Sequence, residues 1–302
     1  RGVGEQITPA GTWSFTLTAA EGRFDTSHIA TCPDVAPVEC ATMTIPPHRH
    51  LISLDLYHAD LFAAYGVGAS SQISLRIPYD VKDQHVRYAT LDGQPYIPPY
   101  GDIHHRTETL WGVSDAELLF WKAPAYLSGP SWQVSLAAGT TLPIGKTVPD
   151  PVRLGLEGKP HEHLQFGSGT FDPKLVVNAF QRAGNVVIGE SVDARLPVYT
   201  STGGFSPPVN VFWAVGPGLP LGRFFASLQF SGQYQSAAKW HGLEDEGTGF
   251  TAGGLVLRGT FHSSPKTALF AGLYHEVFSH GSSGQTFHQG LTFSLGVTRT
   301  LP

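Results

Sequence analysis

Fourteen of the 302 residues are histidine, and several stand at spacings suited to metal ligation. His48-Arg49-His50 and His161-Glu162-His163 place imidazoles two residues apart. In an extended segment such residues share a face, so each pair can offer two nitrogens to one ion. His104-His105 and the pair His275 and His280 add further donors. Zinc or copper takes three or four ligands, so two loops would have to meet. The candidate metal set is therefore His48, His50, His104, His105, His161 and His163, with zinc or copper as the expected ion and haem as a related cargo. A plainer role accounts for the same residues: histidine is a common uncharged loop residue that hydrogen-bonds packed loops together, and it requires no cofactor.

Other chemistry is less well supported. Gly145-Lys146-Thr147 resembles the end of a phosphate-binding loop, but Gly139 to Gly145 encloses five residues where that motif needs four. Val148-Pro149-Asp150-Pro151 is also expected not to start the helix such a loop requires. Cys32 and Cys40, the only cysteines, are separated by seven residues in a Pro-rich stretch. That fits a loop disulfide in an oxidising compartment, with two separate thiols as the alternative. His262-Ser263 is the one close Ser/His pair and falls at an expected short turn, so the chain is not expected to be an enzyme. Glu244-Asp245-Glu246 reads as a solvated acidic tip or a Ca²⁺ site.

The elements that must carry these residues are strands. Hydrophobic residues make up 41% and charged residues only 14%, against roughly 25% charged in an average soluble protein. Glycine (35) and proline (23) are abundant, which favours many strands and turns over helices. No run reaches the roughly 18 apolar residues of a transmembrane helix. A net charge of −5 leaves no basic footprint for nucleic acid. The chain begins at Arg1 without Met, as expected of a processed or trimmed polypeptide.

Period-two alternation recurs throughout. Residues 72–82 set Ile73, Leu75, Ile77, Tyr79 and Val81 against Gln72, Ser74, Arg76, Asp80 and Lys82. Residues 132–143, 224–235 and 291–298 repeat the pattern, the last with Leu291, Phe293, Leu295 and Val297 opposing Thr292, Ser294, Gly296 and Thr298. The polar faces are decisive. Arg76, Asp80, Lys82, Asp193, Arg195 and Arg258 lie mid-strand, where a soluble sandwich would want its core. Apolar outside and polar inside is the requirement of a membrane β-barrel.

Short connections are expected at 67–71, 123–131, 182–185, 219–223 and 263–267, and long ones at 21–47, 83–105, 144–170, 201–208, 241–253 and 279–285. Five short and six long make eleven connections, hence twelve strands. The expected fold is an all-β, antiparallel up-and-down transmembrane barrel spanning 1–302 as one domain, with short periplasmic turns and long extracellular loops. Trp13, Trp111, Trp121, Trp132, Trp213 and Trp240 fit aromatic girdles at the two interfaces. Some places fit poorly: the apolar positions change parity after Leu56, which calls for a bulge near His58-Ala59. Glu190 falls on the apolar side, and 267–278 is apolar on both faces.

From Tyr65 to Pro173 the order of segments resembles the family named for the MetA pathway of phenol degradation, a group regarded as outer-membrane transporters. The matching residues are Tyr65-Gly66, Leu75-Arg76-Ile77-Pro78-Tyr79, Gly112-Val113-Ser114-Asp115, Leu142-Pro143-Ile144-Gly145 and Gly167-Ser168-Gly169-Thr170-Phe171-Asp172-Pro173. The resemblance implies a barrel in the bacterial outer membrane and a transport role, without fixing a substrate. The expected function is a channel for a small solute, lined by Arg76, Asp80, Lys82, Asp193, Arg195 and Arg258, with long loops gating the mouth. The alternative is a barrel scaffold whose His-bearing loops bind a transition metal or haem. Expected partners are outer-membrane lipid, lipopolysaccharide and the solute, with a homo-oligomer or a partner protein also compatible, and no nucleic acid.

Overall fold

The computed structural model describes residues 7–31, 42, 44–100, 103, 105–162, 164–245, 248–281 and 286–302. Twelve antiparallel wall strands close into a barrel. They are β1 (Trp13–Ala30), β2 (His48–Gly68), β3 (Ser71–Thr90), β4 (Glu108–Val113) continued by β5 (Ala116–Lys122), β6 (Trp132–Leu142), β7 (Pro173–Ala183) and β8 (Val186–Arg195). After a short outer strand β9 (Phe205–Ser206) come β10 (Asn210–Leu221) and β11 (Phe224–Gln235). Beyond β12 (Ala238–Trp240) and β13 (Leu243–Asp245), the wall ends with β14 (Phe250–Ser264), β15 (Thr267–Gly281) and β16 (Thr286–Leu301). β16 pairs with β1, and β2 with both β1 and β3, which closes the wall among the described residues. β4 and β5 both pair with β3 and form one wall strand broken at Ser114-Asp115.

The ladder register decides which side chains point where. On β3 the even residues face inward and Ile73, Leu75, Ile77, Tyr79 and Val81 face outward, as alternation implied. Large apolar residues stand exposed on the outside of every wall strand, among them Leu17, Leu61, Ile73, Phe120, Trp132, Leu175, Val192, Leu219, Leu228, Leu257, Leu269 and Leu295. A continuous apolar belt around a polar interior is stable only in lipid. Among the described residues no helix is long and apolar enough to cross a membrane; the chain crosses with strands. The fold defines a bacterial outer-membrane β-barrel.

Four expectations need correction. First, strands run further than their apolar alternation. β1 reaches Ala30 and β3 reaches Thr90, inside segments expected to be loop. An 18-residue strand is roughly 60 Å long at about 3.3 Å per residue. Its lower part alone fills a lipid-facing band about 25 Å tall. Above the belt both faces are hydrated, so the ladder continues with no apolar signal. Second, β1 and β2 pair without interruption from Trp13↔Tyr65 to Ala30↔His48, so there is no bulge at His58-Ala59. Ile52, Leu54 and Leu56 simply face inward, above the membrane belt. Third, Pro151 does open a short helix, α1 (Pro151–Leu156). Asp150 accepts the Arg153 N–H at 3.2 Å, and proline suits the first helical position. α1 begins four residues after Thr147, too late to serve a phosphate loop. Fourth, Trp121 points inward and donates to Ser74 at 2.9 Å, and Trp240 packs on Phe205 in an outer three-stranded sheet of β9, β12 and β13. Neither belongs to a girdle.

The double apolarity of 267–278 has a packing cause. Phe270 faces inward, flat over Gly296, and carries the Arg258 guanidinium 4.2 Å above its ring.

Candidate functional site

Inward positions of β2, β3, β5, β7 and β8 build a belt of alternating charge across one side of the lumen. Asp60 accepts from Arg76 through both oxygens, at 2.8 and 2.9 Å. His58 lies between Asp60 (2.9 Å) and Asp80 (2.6 Å), and Asp80 accepts the Ser114 hydroxyl at 2.6 Å. Arg76 continues to Glu117 at 3.4 Å, and Lys174 joins Glu117 (2.7 Å) to Asp193 (3.1 Å). Carboxylates and cations that meet across strands satisfy one another, which is how so much charge is tolerated inside a barrel.

The connection 143–172 folds inward onto this belt, and the family-like motifs are what hold it. Asp115, in the break between β4 and β5, accepts the backbone N–H of Gly145 at 3.2 Å and the N–H and hydroxyl of Ser168 at 2.8 and 2.6 Å. The two ends of the connection touch there. A Cβ on Gly145 would fall 2.6 Å from the Cα of Gly167, so only glycine permits the approach. Asp172 receives Arg195 Nε at 2.8 Å and Thr170 Oγ1 at 2.7 Å, and its N–H donates to Thr141 Oγ1 at 2.9 Å. Further in, Lys82 donates to the Gln165 carbonyl at 2.8 Å and caps the Phe166 ring at 4.3 Å. Between this connection and the rim of β10, β11 and β14 lies a cavity of about 380 Å³, bordered by Lys82, Phe166, Arg195, Asn210, Gln235 and Phe250.

At the extracellular rim, histidines from different segments converge. His28 on β1 sits opposite His50 on β2, and His105 reaches them from the 91–107 connection. His48, beside them, donates from Nδ1 to the Pro46 carbonyl at 2.9 Å and meets the Tyr100 hydroxyl at 2.7 Å. Burial first, then the neighbouring His28 and His48, holds the His50 imidazole far below its ordinary range, so it stays neutral.

The six residues expected to line the pore occupy inward register positions: Arg76, Asp80 and Lys82 on β3, Asp193 and Arg195 on β8, Arg258 on β14. Of the candidate metal set, His48, His50 and His105 come together. His161 is held elsewhere, its Nδ1 donating to the Lys159 carbonyl at 3.0 Å. His104, His163, Cys32 and Cys40 lie outside the described residues. Sequence reasoning missed Asp60, Glu117, Lys174, Asp115, Asp172 and His28. Glu117 shares its face with Leu119 and Trp121, which hid its inward position. His28 lay in a segment expected to be loop. The order of the family-like motifs was the available signal for Asp115 and Asp172.

No family model and no curated protein matches the sequence. Solved structures do match the fold. An outer membrane channel from Pseudomonas putida F1 superposes with a TM-score of 0.61 at 10% identity, covering 100% of this chain and 99% of that one. A FadL homologue from Pseudomonas aeruginosa gives 0.43 at 10% identity, covering 96% and 90%. The outer membrane protease OmpT from Escherichia coli gives 0.36 at 7% identity, covering 99% and 100%. A likeness at this level of identity shows the fold and assigns no activity. The expectation that the chain is not an enzyme is corrected accordingly: the fold does not establish enzyme status either way.

Proposed function

We propose that the chain is an outer-membrane channel for a small solute, with the inserted connection 143–172 narrowing its mouth. The carrying observation is the closed barrel in which Asp115, Arg195 and Lys82, beside a belt of paired charges from Asp60 to Asp193, hold that connection next to a cavity of about 380 Å³. Because cations and anions pair within the belt, the wall offers little net field and suits neutral solutes better than one sign of ion. The fold shared with the Pseudomonas putida channel supports a channel, and the motif order supports kinship with the family of the MetA pathway of phenol degradation. In planar bilayers the purified barrel is expected to give discrete conductance steps with weak ion selectivity. Proteoliposomes are expected to swell in small neutral solutes, with rates that fall as solute size rises. Neither conductance nor swelling from folded protein would reject the reading.

A further inference from the structure

We propose that His28, His50 and His105 form a binding site for a divalent transition-metal ion of the zinc–copper class at the extracellular rim. One ring nitrogen from each residue lies within 4.8 Å of the others. Bonds of about 2.0–2.1 Å to an ion at the centre would draw these nitrogens closer together. Two of the ligands face each other on paired strands, His28↔His50, so the rigid ladder sets their separation. The third arrives from a loop, as a closing ligand would. His50 is fully buried and His105 nearly so. Three converging imidazoles, two of them buried and His28 partly so, form a soft-donor pocket that magnesium or calcium, which prefer oxygen, would not favour.

A second shell is in place. Because His48 Nδ1–H donates to the Pro46 carbonyl, its Nε2 accepts the Tyr100 hydroxyl proton. The Tyr100 oxygen in turn accepts His50 Nε2–H at 2.9 Å, which leaves the His50 lone pair on Nδ1. His48 and Tyr100 thus fix the tautomer and ring orientation of a ligand, the usual role of groups behind a metal-bound imidazole. Tyr88 stands edge-on to His50, with ring centroids 4.9 Å apart, and restrains the ring further.

The test uses the full chain, folded in detergent and stripped with EDTA, then titrated calorimetrically with ZnCl₂ and with CuSO₄. One equivalent is expected to bind. His28→Ala and His105→Ala are expected to weaken binding at least a hundredfold, and Tyr100→Phe tenfold or more. His85→Ala, an exposed histidine on the outer face of β3, is expected to change nothing. Paramagnetic resonance of the Cu²⁺ form should show nitrogen couplings that diminish by one ligand in His105→Ala. Heat-dependent gel mobility verifies that each variant is a folded barrel. Absence of saturable binding, or equal affinity in a folded His28→Ala/His105→Ala variant, would overturn the proposal. Both readouts are independent of conductance, so failure here leaves the channel reading standing and the reverse.

Discussion

Between β2 and β8 the inward positions carry Asp60, Arg76, Asp80, Glu117, Lys174 and Asp193, each paired with a neighbour. Between β10 and β16 the same positions carry Ala214, Ser231, Gln229, Ser294 and Thr298, with Arg258 and Glu276 as the formal charges among the described residues. Aromatic rings are managed differently too. On the neutral half they lie flat against the wall over glycines: Phe270 over Gly296, Tyr274 over Gly254, Phe225 over Gly218. On the charged half, Phe166 is delivered by the inserted connection and pinned under Lys82. One half of the barrel is thus built to hold the connection in place, and the other is built to be smooth. The channel reading then predicts that solute passes along the smooth side.

The sharpest break would be Lys174→Met. The ammonium is only 5% exposed and serves both Glu117 and Asp193. Removing it leaves two part-buried carboxylates without their shared cation, Glu117 still held by Arg76, at a cost of about 2–3 kcal/mol, short of that for a fully buried ion. Unfolding in detergent, followed by heat-dependent gel mobility, should show the loss directly. A change below about 1 kcal/mol would mean that the belt is well hydrated and the two halves are energetically alike.

Asp115→Asn strikes the connection rather than the wall. Its carboxylate accepts three hydrogen bonds from Gly145 and Ser168, and hydrogen bonds to a charged acceptor contribute about 1.5–3 kcal/mol each. The expected result is a barrel of nearly unchanged global stability whose 143–172 segment is cut more readily by protease and whose conductance is larger and noisier. An unchanged conductance trace would show that the inserted connection does not narrow the path.

How much of this was legible in the sequence follows from the same contrast. Where a strand alternates against lipid, as in 72–82 and 224–235, parity gave both the fold and the inward side, and Arg76, Asp80, Lys82 and Arg258 could be read directly. Where apolar residues face inward, parity misled. Ile52, Leu54 and Leu56 suggested a bulge that does not exist, and Trp121 suggested a girdle it does not join. The partners in the belt join strands far apart in sequence, such as Lys174 with Glu117, and no local pattern records that distance. The rim histidines fall between these cases. His48 and His50 announced themselves by spacing, but His28 is brought to them only by a strand register that continues beyond the membrane.

On the smooth side, Gly296→Val tests whether a flat ring matters. A Cβ there would lie 2.1 Å from Phe270, so the ring must swing into the lumen and release Arg258. Overpacking of this kind costs about 1–3 kcal/mol. Swelling rates should fall with little change in ion selectivity. Gly296→Ala should show the same direction with a smaller effect, and unaltered rates in both would place the path elsewhere.

The smallest effect is expected at Gln229→Ala. Gln229 faces inward on β11 opposite Val256, and its half of the wall depends on small and neutral side chains rather than on pairs. Truncation should change stability by no more than about 0.5 kcal/mol, the usual range for a side chain outside a network. Reversal potential under a salt gradient should stay at its original value, because no charge is lost or exposed. Combining it with Lys174→Met should give the sum of the two effects, since distant sites with no shared partner add. A clear excess over that sum in unfolding measurements would show that the two halves are coupled across the lumen, and the distinction between an anchoring side and a smooth side would have to be abandoned.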